Sequence, residues 1–387
     1  MRYIGRRRSF WAVSVAVSAL VLGSGALFSR LRAQETRTET AISPGLTLLS
    51  VATQSANGPL RFWLVKAEPK AWNLGLEVAD ASDVFKKRSV RNLAKQANAT
   101  VAINGGFFAY GGAAVGAVKV KNEWHRLPWK TRTALSWDES NAQIGPLGGK
   151  CELEITRNDG TIQKIDAALN GFSLSGSHAP LTDGFAVLTR HFGAKWKRKS
   201  GEDALEFQNG NPIFRAQDEI PSEVAISETG FLLVARGAAA QTLSSIQSAS
   251  WKVVLDTPGS DRFTQILGAG PRLVEKSLVK TTEVEESFRP DVVARGPRTA
   301  VGFDKDKNWL FLVADGRQAV SVGLTIPETA QLFHSLGAVE AMNLDGGSST
   351  QLVINGELIN TPSGYDPVNP LRPREVMVSN ALVLNAR

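Results

Sequence analysis

Cysteine is almost absent from this sequence, since Cys151 is the only one among 387 residues. An internal disulfide is therefore excluded, and so is a zinc site that needs two cysteines. Histidine is scarce as well, and the four histidines lie in separate segments without metal-ligand spacing: His125, His178, His191 and His334. We therefore expect no metal ion and no other cofactor, although a divalent ion held by the carboxylates of Asp315 and Asp345 stays an open alternative.

Signatures of several other chemistries are missing too. The sequence contains no Gly-x-Ser-x-Gly elbow that would present a serine nucleophile. Its glycine pairs at 105–106 and 111–112 are spaced too loosely for a nucleotide-binding fingerprint. No basic stripe with interleaved aromatic residues runs through the chain, so we expect no nucleic-acid partner.

Positive charge is concentrated at the amino terminus. The formal net charge is +7, and residues 1–33 carry six arginines and no acid, so the rest of the chain carries about +1, which is 7 minus 6. Arginines before an uncharged run at 9–29 are typical of a signal peptide, and we expect a secreted or periplasmic protein. A run of this length also spans a bilayer, so membrane attachment through an uncleaved anchor stays open.

The rest of the chain has the composition of a globular protein, with 43% hydrophobic and 21% charged residues. We expect a linker at 34–45 and one domain over 46–387, with a long elaboration at 151–250. The predicted fold class is α+β, with mixed twisted β-sheets and few helices. Runs rich in apolar and β-favouring residues predict strands at 60–66, 74–79, 231–235, 252–255, 300–303, 309–313 and 376–384.

Two distant segments, 93–104 and 332–343, share one pattern: a helix, a stop, a strand, and then an asparagine before a glycine turn. Thr325 and Glu328 predict a capping box for the second helix, and Ser89 is a candidate cap for the first. Both helices should end at residues that tolerate positive φ, Asn98 and Gly337. The pattern predicts two pseudo-repeated halves whose glycine turns meet at one cleft.

Four ordered motifs surround these turns: Asn104-Gly105-Gly106-Phe107-Phe108, Pro297-Arg298-Thr299, Asp315-Gly316-Arg317 and Asn343-Leu344-Asp345-Gly346-Gly347-Ser348-Ser349. In this order and spacing they resemble the phosphodiester glycosidase family, whose members split a sugar from a phosphate at the anomeric carbon. The resemblance extends from about residue 46 to the carboxyl end. Ser348 stands where the family has a third glycine, and Ala269 where it has another, so substrate choice is less well determined than the fold.

The resemblance implies an exported hydrolase that cleaves a sugar-1-phosphodiester in an envelope or extracellular glycan. A carboxylate stabilises the cationic transition state of such a reaction, and Asp345 is the leading candidate, with Asp315 as a second carboxylate or an arginine partner. Guanidinium groups match phosphate oxygens, so Arg298 and Arg317 are the preferred clamps, with Arg132 and Arg374 in reserve. The full set of predicted substrate-binding residues is Asn104, Gly105, Gly106, Arg298, Thr299, Arg317, Asn343, Gly346, Gly347, Ser348, Ser349 and Arg374.

Alternative roles remain open for these residues at this stage. Asp-Gly is a common turn in which the aspartate bonds only its own backbone. Phe107, Phe108 and Tyr110 are candidates either for an apolar wall under a sugar ring or for core packing. The rival functions are a catalytically silent, glycan-binding envelope protein and a metal-dependent phosphodiesterase.

Overall fold

The protein is represented by a computed structural model that describes residues 35–174, 180–209, 211–213, 221–245, 250–364 and 374–387. The predicted leader at 1–33 and the residue His178 lie outside these ranges. Within them, none of the helices combines the length and the apolar character that crossing a bilayer requires.

The described ranges contain 27 strands and four α-helices. The strands are β1 Thr36–Ser43, β2 Leu46–Ser55, β3 Gly58–Ala67, β4 Trp72–Val78, β5 Val101–Asn104, β6 Val118–Val120, β7 Glu123–Arg126, β8 Arg132–Trp137, β9 Ala142–Leu147, β10 Lys150–Thr156, β11 Ile162–Leu169, β12 Gly184–Leu188, β13 Lys195–Lys197, β14 Glu202–Gln208, β15 Asn211–Ile213, β16 Glu223–Ala225, β17 Gly230–Arg236, β18 Ser250–Asp256, β19 Gln265–Gly268, β20 Arg272–Glu275, β21 Leu278–Val279, β22 Arg298–Asp304, β23 Trp309–Ala314, β24 Ala338–Asn343, β25 Leu352–Ile354, β26 Glu357–Leu358 and β27 Asn380–Ala386. The helices are α1 Val90–Gln96, α2 Ala238–Ser245, α3 Pro290–Val293 and α4 Ile326–Ser335.

Three sheets enclose the main hydrophobic core. One has eight strands in the order β1-β2-β3-β23-β22-β24-β20-β21, and two have five strands, β7-β6-β19-β8-β9 and β26-β25-β5-β27-β4. Buried side chains from all three sheets pack in one cluster, for example Val301, Leu135 and Leu382. The strand ends of these sheets are therefore held in fixed positions relative to one another, and they carry the candidate site.

The segment between β9 and β19 forms a further sheet of seven strands, in the order β15-β14-β17-β12-β11-β10-β18. It has its own hydrophobic core, which includes Leu153, Phe207 and Leu233. Arg126 of the main body donates to the carbonyl oxygens of Leu169 at 3.1 Å and Asn170 at 2.7 Å, which ties the two parts together. This sheet corresponds to the elaboration predicted at 151–250.

The predicted strands agree with β3, β4, β17, β18, β22 and β23, but the last predicted strand, 376–384, begins only at Asn380. The linker predicted at 34–45 is wrong in structural terms, because β1 pairs with β2 and forms an edge of the eight-stranded sheet. The polar composition of this segment predicts a linker, yet its threonines are β-branched residues that suit a half-exposed edge strand.

The local features of the two similar segments are confirmed. Thr325 and Glu328 form the capping box of α4, and Ser89 caps α1 by accepting a hydrogen bond from the amide of Asn92. The chain takes φ of 50° at Asn98 and 99° at Gly337 as it leaves each helix. A common origin of the two halves, and a cleft between them, stay predictions.

Candidate active site

Three of the four motifs are joined by hydrogen bonds at the end of β24. The Asn104 side-chain amide donates to the Asp345 carbonyl oxygen at 2.6 Å, and the Asp345 amide donates to the Gly105 carbonyl oxygen at 3.0 Å. The amide of Gly347 donates to the Pro297 carbonyl oxygen at 3.0 Å. The two glycine turns, which are 241 residues apart in the chain, are thus in direct contact.

The first glycine pair is required by close packing of the backbone rather than by a ligand. A Cβ at Gly105 would lie 2.0 Å from Oδ1 of Asn380, and one at Gly106 would lie 2.7 Å from the Gly268 carbonyl oxygen. A side chain at either position would therefore clash with these atoms, so only glycine fits. Both predicted binding residues are therefore part of the frame that supports the Asp345 turn.

The carboxyl group of Asp345 is partly buried at the centre of this frame. Its Oδ1 accepts a hydrogen bond from the Gly346 amide at 2.9 Å. Burial raises the pKa of Asp345 to about 6, and hydrogen bonds from the Ser349 hydroxyl and the Gly346 amide oppose that rise. A carboxyl group that changes its charge near neutral pH suits a catalytic role.

Arg317 approaches the same turn from the end of β23. It takes a left-handed backbone conformation, with φ of 60°, and its side chain is exposed. Its Nη1 would lie 3.2 Å from a Cβ placed on Gly347, so its guanidinium group lies against that glycine. Among the described residues it has no hydrogen-bond or salt-bridge partner. This geometry leaves the donors of Arg317 free for an anion at this glycine turn.

The environment of Arg298 differs from that expected of a phosphate clamp. Its side chain is 4% exposed, and burial lowers the pKa of its guanidinium group to about 10. Four of its five N–H groups donate to main-chain carbonyl oxygens, so a two-pronged grip on phosphate is not available to it in this structure. The acceptors are the carbonyl oxygens of Leu324 at 2.8 Å, Val292 at 2.6 Å, Val293 at 3.0 Å and Ala294.

Asp315 is likewise occupied by its own fold. It is 1% exposed, and burial raises its pKa to about 6, against hydrogen bonds that lower it. Its Oδ1 accepts from the side-chain amide of Asn360 at 3.0 Å and from the amide of Thr361 at 3.1 Å. These contacts anchor the loop that follows β26, and they favour a structural role over the predicted role as second carboxylate.

We expect Asp315→Ala to destabilise the protein by about 1–3 kcal/mol, because the donors of Asn360 and Thr361 would stay buried without an acceptor. Thermal unfolding at pH 7.5 measures the loss. Asp315→Asn retains one acceptor oxygen, so it should unfold at a higher temperature than the alanine variant and keep most of the activity. A stable but inactive Asp315→Asn protein would instead identify Asp315 as catalytic.

Three of the predicted binding residues, Asn104, Thr299 and Asn343, are buried, and the Oδ1 atom of Asn343 has no hydrogen-bond partner among the described residues. Oδ1 of Asn104 accepts from the hydroxyl of Thr299 at 2.7 Å, and the Asn343 side-chain amide donates to the Gly270 carbonyl oxygen at 3.0 Å. All three side chains are at most 1% exposed. The side chain of Asn104 is therefore engaged by protein groups, whereas the predicted contact of Asn343 with a sugar hydroxyl stays a prediction.

Ser348, Arg374 and the aromatic candidates remain to be placed relative to this turn. Ser348 is partly buried in the short 3-10 helix Gly347–Ser349, directly after the turn. Arg374 is exposed and follows residues that the structure does not describe, so its relation to the site stays a prediction. Of the aromatic residues, Phe107 is half-buried and packs against the main core, while Tyr110 is fully exposed.

Sequence reasoning missed Asn380, which holds the first glycine turn. Its carbonyl oxygen accepts from the Gly105 amide at 3.0 Å, and its Oδ1 accepts from the Gly106 amide at 2.9 Å. Asn380 lies at the start of β27, where one asparagine among apolar residues was the available signal. Its partner glycines are 274 residues away, and nothing local indicates that contact.

The arrangement defines a class of site in which a carboxyl group with a raised pKa, that of Asp345, belongs to a glycine turn that is also contacted, at Gly347, by an arginine without a partner among the described residues. The sequence profile of the phosphodiester glycosidase family matches residues 163–384, which are 222 of the 387 residues. The chain therefore belongs to the phosphodiester glycosidase family.

Two curated relatives are the mouse and human forms of N-acetylglucosamine-1-phosphodiester alpha-N-acetylglucosaminidase. The chain is 37% identical to the mouse protein over 105 residues and 34% identical to the human protein over 134 residues. These matches cover 26% and 32% of this chain, but only 20% and 25% of the relatives. The chain thus spans a quarter or less of the length of these relatives.

Solved structures share the fold at low sequence identity. A protein of Synechocystis superimposes with a TM-score of 0.75 at 23% identity, covering 91% of this chain and 64% of that one. A predicted exported protein of Burkholderia pseudomallei gives 0.65 at 22% identity, covering 84% and 74%. The catalytic domain of the zebrafish N-acetylglucosamine-1-phosphodiester alpha-N-acetylglucosaminidase gives 0.51 at 15% identity, covering 90% and 85%. These likenesses establish a β-rich fold built of several sheets.

Proposed function

We propose that this protein hydrolyses sugar-1-phosphodiesters by breaking the bond between the anomeric carbon and the phosphate oxygen. The observation that carries the proposal is that the partly buried Asp345 and the guanidinium group of Arg317, which has no partner among the described residues, lie at the same glycine turn. Family membership supports the reaction class, and the names of the curated relatives describe the same linkage.

In the proposed reaction the ionised carboxylate of Asp345 acts on the anomeric carbon. It either attacks this carbon or takes a proton from the water that does, and in both cases it stabilises the developing positive charge. The carbon–oxygen bond breaks, and its electron pair stays on the phosphate oxygen. Arg317 binds the phosphate and stabilises the charge that it gains. The final products are the free sugar and a phosphate monoester on the other fragment.

A phosphate is already a good leaving group, so the mechanism needs little general-acid assistance. This agrees with the contacts of Asp315, whose carboxyl group is held by Asn360 and Thr361. One essential carboxylate therefore suffices in this proposal.

We expect kcat/KM to fall about tenfold per pH unit below pH 6 and to level off above pH 7. The reason is that burial raises the pKa of Asp345 to about 6, and only its ionised form takes part. The phosphodiester keeps its negative charge over this range, so the slope reports the enzyme. A kcat/KM profile measured from pH 4.5 to 8.5 checks this, and a flat profile down to pH 4.5 would contradict it.

The decisive experiment for the reaction is hydrolysis of a panel of sugar-1-phosphodiesters in oxygen-18 water. Label in the free sugar means cleavage at the anomeric carbon and supports the proposal. Label in the phosphate means a phosphoesterase, and retained binding without any product means a catalytically silent glycan-binding protein. Either of the last two results would refute the proposed function.

We also propose that the protein is secreted or periplasmic and acts on an envelope or extracellular glycan. The arginine-led apolar segment at 1–33 supports export, as does the likeness in fold to a predicted exported protein. Mass spectrometry of the native amino terminus tests it, since a chain that begins at Met1 in the cytosol would refute this location.

A further inference from the structure

Four half-buried side chains lie together beside the Asp345 turn: Phe107, Trp129, Arg132 and Phe288. We call this group the aromatic recess. The rings of Phe107 and Phe288 are 5.7 Å apart, and Phe107, Trp129 and Arg132 line a hollow of about 20 Å³. Such a hollow holds no more than one water molecule, so a ligand would lie across its mouth and against the rings.

The aromatic recess adjoins the turn on two sides. Phe107 is two residues from Gly105, whose carbonyl oxygen accepts from the Asp345 amide. The ring of Phe288 is 3.3 Å from a Cβ placed on Gly270, and the Gly270 amide donates to the Asn343 carbonyl oxygen at 3.0 Å. These contacts place the aromatic recess next to the backbone that supports the Asp345 turn.

The aromatic recess carries the positive charge of Arg132, which forms no salt bridge with an acidic side chain of the described residues. The Arg132 guanidinium lies 4.0 Å from the centre of the Phe288 ring and 5.4 Å from that of Trp129. Its hydrogen bonds go only to main-chain carbonyl oxygens, those of Glu286 at 3.2 Å and Ser287 at 3.4 Å. Within the described ranges it makes no salt bridge, and neither does Lys130, whose Nζ lies 4.7 Å from the Trp129 ring centre.

The nearby carboxylate of Glu286 attracts the guanidinium group of Arg132 electrostatically but forms no salt bridge with it. Glu286 is 9% exposed, and its oxygens accept from the Thr133 amide at 2.9 Å and the Thr133 hydroxyl at 2.6 Å. The hydroxyl of Thr282 also donates to it. Both N–H groups on Nη1 of Arg132 are thus left without an acceptor among the described residues.

The aromatic rings and the unpaired N–H donors of Arg132 together indicate the chemistry of the ligand. Aromatic rings pack against the C–H face of a sugar, and a guanidinium group binds a carboxylate or phosphate through two parallel hydrogen bonds. A neutral sugar would satisfy the rings but would leave the donors of Arg132 without an anion. Resting on the proposed function, we propose that the aromatic recess binds an anionic sugar unit that neighbours the cleaved phosphodiester.

The test uses the full-length protein and short glycans that contain no phosphodiester, so it does not depend on turnover. Tri-galacturonate supplies the carboxylate, glucose 6-phosphate supplies a phosphate, and maltotriose is the neutral probe. Binding is measured by calorimetry for the wild type, Arg132→Gln and Arg262→Gln. Arg262 is the matched control, because its guanidinium also lies on a ring, 4.7 Å from the centre of Phe263, and the same charge is removed.

We expect at least one anionic probe to bind more tightly than maltotriose, and Arg132→Gln to weaken that binding by about 5- to 20-fold. The same substitution should change maltotriose binding by less than about twofold, and Arg262→Gln should change neither. Whether tri-galacturonate or glucose 6-phosphate responds identifies the anion as a carboxylate or a phosphate.

Two results would overturn the proposal. One is that no anionic probe binds better than maltotriose to the wild type. The other is that Arg132→Gln lowers the unfolding temperature and weakens all probes equally, which would mean that Arg132 only holds the loop of Phe288. The proposed function is tested separately by the oxygen-18 experiment. If the sugar product carries no label but the calorimetric preference for anionic probes persists, the proposed function fails and the binding proposal stands.

Discussion

Asp345→Asn is expected to lower turnover of a sugar-1-phosphodiester by several hundredfold, while the protein stays folded. The amide keeps the shape of the side chain and an oxygen to accept from Gly346, but it carries no charge to stabilise the developing cation. Losing that stabilisation costs on the order of 3–4 kcal/mol in the activation free energy. Steady-state kinetics with a defined phosphodiester measure the loss, and circular dichroism checks the fold.

The same substitution should raise stability at alkaline pH. Burial raises the folded-state pKa of Asp345 to about 6 from its ordinary value of 3.8, so folding favours the protonated form. The stabilising contribution of that proton is present below about pH 4 and is lost as the pH rises through 6, where the ionised group weakens the fold. We expect Asp345→Asn to be more stable than the wild type by about 1–2 kcal/mol at pH 8, and by less at pH 4.5.

Asp306→Asn provides the control for both measurements, because Asp306 is an exposed aspartate. It should leave turnover and stability close to those of the wild type, because an exposed side chain is replaced by one of the same shape. A folded Asp345→Asn protein with near-wild-type turnover would remove Asp345 from the mechanism.

Replacement by lysine should affect activity at Arg317 but stability at Arg298. Arg317→Lys is expected to lower kcat/KM for phosphodiesters by about 10- to 100-fold with little change in stability, since an ammonium group keeps the charge but loses the two-pronged geometry. Arg298→Lys is expected to destabilise the fold by about 2–4 kcal/mol, because one ammonium group cannot replace four hydrogen bonds to carbonyl oxygens. Kinetics and thermal unfolding of both variants separate these roles.

A neutral aryl glycoside serves as the uncharged comparison substrate. If it is turned over, Arg317→Lys should affect it much less than the phosphodiester, because it offers no anion to bind. Equal losses on charged and neutral substrates, or a large drop in the unfolding temperature of Arg317→Lys, would show that Arg317 supports the fold. A stable Arg298→Lys protein with a selective loss on phosphodiesters would restore Arg298 as the clamp.

The features that sequence predicted best are those whose interactions lie within a few residues. Thr325 and Glu328 are three positions apart, and their capping box is present in α4. Ser89 and Asn92 are likewise three positions apart, and the predicted Ser89 cap is present in α1. The β1 strand was missed because its stabilisation comes from pairing with β2, and its polar side chains give no apolar pattern.

The sequence by itself determined the family, the β-rich composition of the fold, the helix caps and the glycine turns, because each depends on residue identities in a fixed local order. Only the tertiary structure decided which motif residues are free to act. Arg298 and Arg317 lie in equally plausible motifs, yet Arg298 meets the carbonyl oxygen of Leu324, 26 positions away, whereas Arg317 has no partner among the described residues. The physical reason is that a guanidinium group binds whichever acceptors the fold brings within reach, and contacts across distant segments leave no local trace in the sequence.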